Sequence, residues 1–320
     1  MLEKLIADNY NMEIRNMTLI DHHFGTKIYL LVTDKGKYIV KTLPLHAEGM
    51  ENEGYITEYL HKSGISVARL LKTICGTYHV RTDDMQFHVQ EYIEGETLQV
   101  NTAPEWFMEK CVCTLGKIHH ILKGYGELNT NFNGDFFSKP FANAAKDHYL
   151  EQLREARERK DTASIPALQE RVKHLERIAE FDIDAKKLTY SNSHGDFWIA
   201  QIIVRGEELT VIDWTSACRL PVCLEIIMSY ATADPACKEG AIDAGRLNRY
   251  ISHYLQHFTL TGYDIKMMPY VYYHQQILCH YPPPYDNVPD AYKPICAQIN
   301  NSANWLYDNA ETLSKELCTL

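Results

Sequence analysis

Between residues 27 and 43 the apolar side chains crowd into two short runs, KIYLLVT (27–33) and KYIVKTL (37–43), separated by the polar trio DKG. Leucine, aromatic and β-branched residues on either side of a glycine-bearing turn predict a β-hairpin. The spacing then changes. Within HAEGMENEGYITEYLHKSG (46–64), Tyr55, Ile56, Tyr59 and Leu60 recur at helical period, and Gly64 supplies a stop. SVARLLKTICG, YHVRT and QFHVQEYI, all before residue 94, add three strand candidates. The predicted order is β-β-α-β-β-β, a small antiparallel sheet with one helix laid against it.

After EGETL (94–98) the pattern becomes helical. PEWFMEKCVCTLGKIHHIL (104–122) reads as a long, mostly buried helix, followed by a looser stretch at 127–140 rich in Asn, Gly and Phe. Amphipathic helices are expected near 141–160 and 165–180, and REARERKD (154–161) reads as a solvated face with i,i+4 pairs. Further helices are expected at 222–233, 241–260, 266–280 and 288–317, with YPPPYDN (281–287) as a rigid loop. A β-rich lobe, residues 1–92, thus precedes a larger helical lobe, 93–320, in an α+β architecture.

Charge narrows the partners. Thirty-two Lys and Arg against 42 Asp and Glu leave a net charge of −10, which argues against nucleic acid or an anionic membrane as partner. No run of 18 apolar residues occurs, so no membrane span is expected. The nine cysteines are irregularly spaced and lack zinc-site pairing, which suits small buried residues in a reducing compartment. A cytoplasmic enzyme fits these constraints.

Chemistry concentrates in HGDFWIAQIIVRGEELTVIDW, residues 194–214. QIIVRGEELTVID reads as a hairpin around RGEE, and a hairpin folds its ends together. Asp196, Gln201 and Asp213 are therefore expected at one spot. Phosphoryl transfer needs such a grouping: one carboxylate to accept the proton of an attacking hydroxyl, and a carboxylate with an amide oxygen to hold Mg²⁺ against phosphates.

The order H-G-D-x-x-x-x-Q … I-D-W resembles the H-G-D-x-x-x-x-N … D loop pair of the aminoglycoside phosphotransferase and choline kinase superfamily. The resemblance implies a bilobal protein-kinase-like fold and an ATP-dependent kinase of a small-molecule hydroxyl. It assigns Asp196 as catalytic base and Asp213 as metal ligand. YIVK ends in Lys41 as the kinase V-A-I-K motif does, and NEGYITEYL (52–60) is similar to the family helix that carries the glutamate paired with that lysine, here Glu53. VQEYIEGETL (89–98) looks like the hinge, where the backbone of Glu91, Tyr92 and Ile93 would meet adenine. Likeness runs from about residue 18 to about residue 235.

Three departures stand out. Gln201 replaces Asn on a chain one methylene longer, and Mg²⁺ demands distances of about 2.0–2.1 Å, so ligation requires a local shift. The phosphate loop DHHFGTK (21–27) has one glycine, although Gly25 and Thr26 still offer backbone N–H groups to phosphate. Gly195 stands where protein kinases carry arginine and no A-P-E follows, which favours a small-molecule acceptor over a protein. Gln201 and the thin loop together leave open a second reading, a catalytically weak or inactive module that binds nucleotide or protein. For the acceptor, Trp214, Glu225, Tyr230 and Asp234 suggest an aromatic and acidic wall suited to a cation. Tyrosines at helical spacing suit a packed core equally well.

Overall fold

The structure is a computed structural model that describes residues 1–23, 25–47, 50–280, 282–285 and 288–319. The chain divides into two compact units, Met1–Thr97 with Gln201–Ala217, and Leu98–Ala200 with Cys218–Leu320. A boundary at residue 92 would place the hairpin 201–217 in the second lobe. It packs instead with the first.

In the first unit, helix α1 (Leu2–Tyr10) leads into strands β1 (Ile14–His23), β2 (Thr26–Thr33) and β3 (Gly36–Leu43). Helix α2 (Met50–Lys62) and strands β4 (Val80–Arg81) and β5 (Gln86–Glu91) follow, giving a sheet in the order β1-β2-β3-β5-β4. The expected hairpin is β2–β3: Thr33 faces Gly36 across Asp34 and Lys35, and Gly36 sits at φ 131°, open to glycine. Two elements exceed the sequence expectation. Strand β1 continues the sheet outward from β2, and α1 buries Ile6 and Tyr10 against Leu31, Val40, Phe87 and Val89. SVARLLKTICG, expected as a strand, forms only isolated bridges, Val67 to Val211 and Leu70 to Gln90. Its neighbours differ along its length, so no ladder develops. Val211 belongs to the remaining small sheet of this unit, β6 (Glu96–Thr97), β8 (Ile202–Arg205) and β9 (Glu208–Val211).

The second unit holds α3 (Glu105–Leu122), α4 (Lys139–Glu158), α5 (Ile165–Ile178), α6 (Val222–Ala233), α7 (Ala244–Tyr254), α8 (Gly262–Cys279) and α9 (Lys293–Thr319). A two-stranded pair, β7 (Tyr190–Ser193) with β10 (Cys218–Pro221), sits among them. Caps explain several boundaries. Ser138 accepts from the Phe141 N–H at the start of α4. A full capping box, Thr261 with Asp264, starts α8 four residues before the apolar spacing alone suggested. No helix among the described residues is long and apolar enough to cross a membrane.

Gly54 shows how tightly α2 is fitted. A Cβ built there would lie 2.1 Å from Cγ of Tyr78, whose ring is 1 % exposed. Alanine normally favours a helix by about 1 kcal/mol over glycine, but overpacking costs about 1–3 kcal/mol. Gly54→Ala is therefore expected to lower stability in urea denaturation. A gain in stability would show that α2 is free to move off Tyr78.

Candidate active site

Lys41 and Asp213 anchor the first unit's site. Ile28 and His88 flank Lys41 on either side in the sheet, which leaves the ammonium nearly buried. Its Nζ donates to Oδ1 of Asp213 at 2.5 Å. The hairpin delivers Asp213: Ile202 pairs with Val211, and the Ile212 N–H donates to the Gln201 carbonyl at 2.9 Å. Gln201 and Asp213 thus emerge at the same end of the hairpin. Asp213 occupies the left-handed region, φ 60° and ψ 68°, a conformation that few non-glycine residues adopt and that recurs at functional turns. The Thr215 hydroxyl donates to the same Asp213 oxygen at 2.5 Å and accepts from Lys41 at 3.5 Å.

Glu53 takes a different place from the expected one. Its Oε1 accepts the Trp214 N–H at 3.1 Å, so it clamps the turn after Asp213, while the ammonium of Lys41 bonds the Asp213 carboxylate. Oε2 of Glu53 lies 3.8 Å from Nδ1 of His88, and both side chains are fully buried. Burial raises the Glu53 carboxyl to about 7; Lys41 and the Trp214 N–H pull it down and Asp213 pushes it up. Burial, with Lys41 second, pushes His88 down to about 3, so its imidazole is neutral.

A cavity of about 490 Å³ within this unit is bordered by Lys41 and Asp213, by Glu91, Tyr92 and Ile93, and by the apolar Ile20, Ile28, Ile39, Ala68 and Ile212. Glu91 is held in place by Arg69, whose Nε donates at 3.1 Å and whose backbone N–H donates at 3.2 Å. Gly25, at φ 81°, closes the β1–β2 connection beside the buried Thr26. Phe24 lies outside the described residues. The apolar walls of this cavity end at the Lys41 ammonium and the Asp213 carboxylate, with Glu91 and Glu96 also on its border. Among the described residues no cluster of three His, Cys, Asp or Glu side chains forms a metal cage.

Asp196 belongs to the second unit. It follows Gly195, at φ 85°, on the loop that leaves β7, and it accepts from Nε1 of Trp198 at 3.3 Å. Glu225 braces this loop from inside α6. Its Oε1 accepts the Gly195 N–H at 2.5 Å, and its Oε2 accepts from Ser193 and lies 3.3 Å from His119. His119 in turn bonds the Tyr254 hydroxyl through Nδ1 at 2.7 Å. Burial pushes Glu225 upward, yet His119, His194 and Ser193 outweigh it and hold the carboxyl below its ordinary value. Asn192 grips the strand's neighbourhood, accepting from Leu128 and donating to Gly126.

The suggested acceptor wall does not survive burial. Trp214, Glu225, Tyr230 and Asp234 are each no more than 1 % exposed. Glu225 is spent on Gly195, Ser193 and His119, and Asp234 on Arg246 at 2.9 Å. The one acid in the otherwise apolar VCLEIIM already signalled a carboxylate with internal partners. Thr215 and His88 carried no comparable sequence signal.

A model of the phosphotransferase enzyme family matches residues 17–258. The chain belongs to that family. Solved structures agree with the assignment at the level of fold. Amicoumacin kinase hAmiN, in complex with AMP-PNP and Ca²⁺, superposes with a TM-score of 0.63 at 14% identity, covering 97% of this chain and 92% of the other. An aminoglycoside phosphotransferase from Alicyclobacillus acidocaldarius gives 0.64 at 15% identity, covering 99% and 96%. Choline kinase from Cryptosporidium parvum gives 0.58 at 11%, covering 99% and 95%. This phosphotransferase-family chain therefore has the protein-kinase-like fold. Among curated proteins it is 25% identical over 120 residues to spore coat protein S of Bacillus subtilis, and the match spans 38% of this chain and 34% of that protein. The chain thus spans about a third of the length of the curated relative it matches.

Glu53 makes the family site sensitive to pH. Between 4.5 and about 7 the unfolded chain has released this proton while the folded chain keeps it, so Glu53 costs stability as pH rises through that window. Glutamine has no proton to lose. The stability of Glu53→Gln relative to the parent is expected to improve across the window, by on the order of a few kcal/mol at most. Urea titrations at successive pH values measure this, and a difference that stays flat would contradict the assignment.

Proposed function

We propose that this protein is a kinase of a small-molecule alcohol, transferring the γ-phosphoryl group of ATP to a hydroxyl. The observation that carries the reading is the Lys41–Asp213 pair at 2.5 Å, bordering the same cavity as Glu91, Tyr92 and Ile93. Family membership supports it, as do fold relatives with bound nucleotides. In this proposal the backbone of Glu91 to Ile93 receives the base. Lys41 binds phosphate oxygens, with the N–H groups of Gly25 and Thr26 above them, and Glu53 fixes the turn that aims Asp213. Asp213 and Gln201 would hold Mg²⁺, which supplies charge neutralisation on the phosphates when bound. Asp196 accepts the proton of the acceptor hydroxyl as its oxygen bonds to phosphorus and the β–γ bridge oxygen departs with ADP. Thr215 keeps the Asp213 carboxylate and the Lys41 ammonium in register. A cytoplasmic setting belongs to the same proposal.

A second reading is a kinase-like module without turnover. Gln201 in the metal position and the 25% likeness to a spore coat protein favour it. Calorimetric titration of ATP with Mg²⁺, then with EDTA, separates the two. Binding is expected to depend on metal, to fall at least about tenfold in Asp213→Asn and to weaken in Gln201→Ala. Asp196→Asn is expected to bind ATP normally and to lose about 10²–10⁴-fold in turnover once an acceptor is supplied. Metal-independent binding in all variants would favour the second reading.

A further inference from the structure

The helical unit buries a cation that no carboxylate answers among the described residues. Arg171, on α5, is 5 % exposed. Its Nη1 donates to the carbonyls of Ile277, at 2.5 Å, and Gln276, at 3.4 Å, in the last turns of α8. The guanidinium lies 6.0 Å from the Tyr149 ring centroid. Burial lowers its pKa, and the groups that support its charge are the phenols of Tyr149, Tyr285 and Tyr273. Other arginines of the chain contrast with it: Arg246 is paired with Asp234 and Arg69 with Glu91.

Capping α8 explains half of this arrangement. A helix C-terminus offsets only about half a unit charge, and buried charges are ordinarily paired in full. The capping bonds use Nη1 alone. Nε and Nη2, the parallel N–H edge that grips a carboxylate or phosphate side-on, make no hydrogen bond among the described residues. That edge therefore lacks an acceptor among the described residues while the side chain as a whole is only 5 % exposed. His280 stands by as a neutral ring: burial and then Arg171 push it down to about 4, so it adds no second charge at neutral pH.

We propose that Arg171 is an anion-recognition residue whose unbonded Nε–Nη2 edge binds the carboxylate or phosphate group of a small molecule held by the helical unit. Taking that molecule to be the phosphoryl acceptor rests on the function proposed above; the anion site itself does not. An acceptor bearing an anion would reverse the cationic preference that the four buried side chains had suggested.

The test uses the full chain without nucleotide. Succinate and inorganic phosphate are titrated calorimetrically, with chloride at matched ionic strength, into the parent, Arg171→Gln, Arg171→Lys, Lys41→Met and Asp196→Asn. At least one anion is expected to bind the parent in the millimolar range, about tenfold or more weaker in Arg171→Gln. Arg171→Lys, which keeps the charge and loses the fork, should fall between them and carries the test if the glutamine variant unfolds. Succinate selectivity identifies a carboxylate ligand, and phosphate selectivity a phosphate monoester. Equal binding in the Arg171 variants and the parent, binding lost only in Lys41→Met, or no binding of either anion leaves Arg171 as a helix cap and overturns the proposal. Arg171-dependent anion binding in a parent protein whose ATP binding does not depend on metal would uphold the anion site while refuting the kinase reading.

Discussion

One ammonium group faces two carboxylates in the interior of the first unit, and much of its site follows from how that imbalance is resolved. Lys41 bonds Asp213 directly, and Glu53 is left to the Trp214 N–H and the neutral ring of His88. A buried carboxylate without its own cation shifts toward its protonated form, as the raised Glu53 pKa records. The arrangement also explains why the turn at 213–216 is so closely held. Its backbone is held by Glu53, while its carboxylate and its threonine hydroxyl bond each other and share Lys41, so the left-handed conformation of Asp213 is over-determined by its surroundings.

The second unit treats an interior acid in the opposite way. Glu225 gathers a backbone N–H, a serine hydroxyl and a histidine, which lower its pKa despite complete burial. The two glutamates have equal chemistry and equal burial, yet they end on opposite sides of their ordinary value. Donor number decides between them. The residue next to the loop glycine that Glu225 fixes is Asp196, so a side chain with no exposure still governs where a partly buried carboxylate sits.

Much of this was legible in the chain because it was written in short-range signals. The β2–β3 hairpin, α2, the long α3 and the hairpin between Gln201 and Asp213 each carry their own period and turn residues. Helix α1 was equally readable from Leu2, Leu5, Ile6 and Tyr10, but only once β1 supplied a surface for that face to cover. SVARLLKTICG misled because apolar composition specifies burial without specifying a continuous partner. Pairings between distant residues were invisible in principle. Whether Lys41 chooses Asp213 or Glu53 depends on ångström-scale placement, and a wall of polar and aromatic letters can equally be an interior network, as Glu225 and Asp234 show.

The hairpin 201–217 carries a consequence for how the chain acquires its structure. Ser66 meets Thr210 across 144 positions, and Ala68 takes its backbone partner from Val211. The first unit is therefore discontinuous along the chain, with about a hundred residues of the other unit intervening. During synthesis the amino-terminal five-stranded sheet emerges early, yet the unit it belongs to remains incomplete until the ribosome has passed residue 217. Long-range closure of this kind slows folding and leaves unpaired edges exposed meanwhile. A protein built this way is poorly served by being cut into lobes, and a nascent chain halted before that point would already have Lys41 but not its partner.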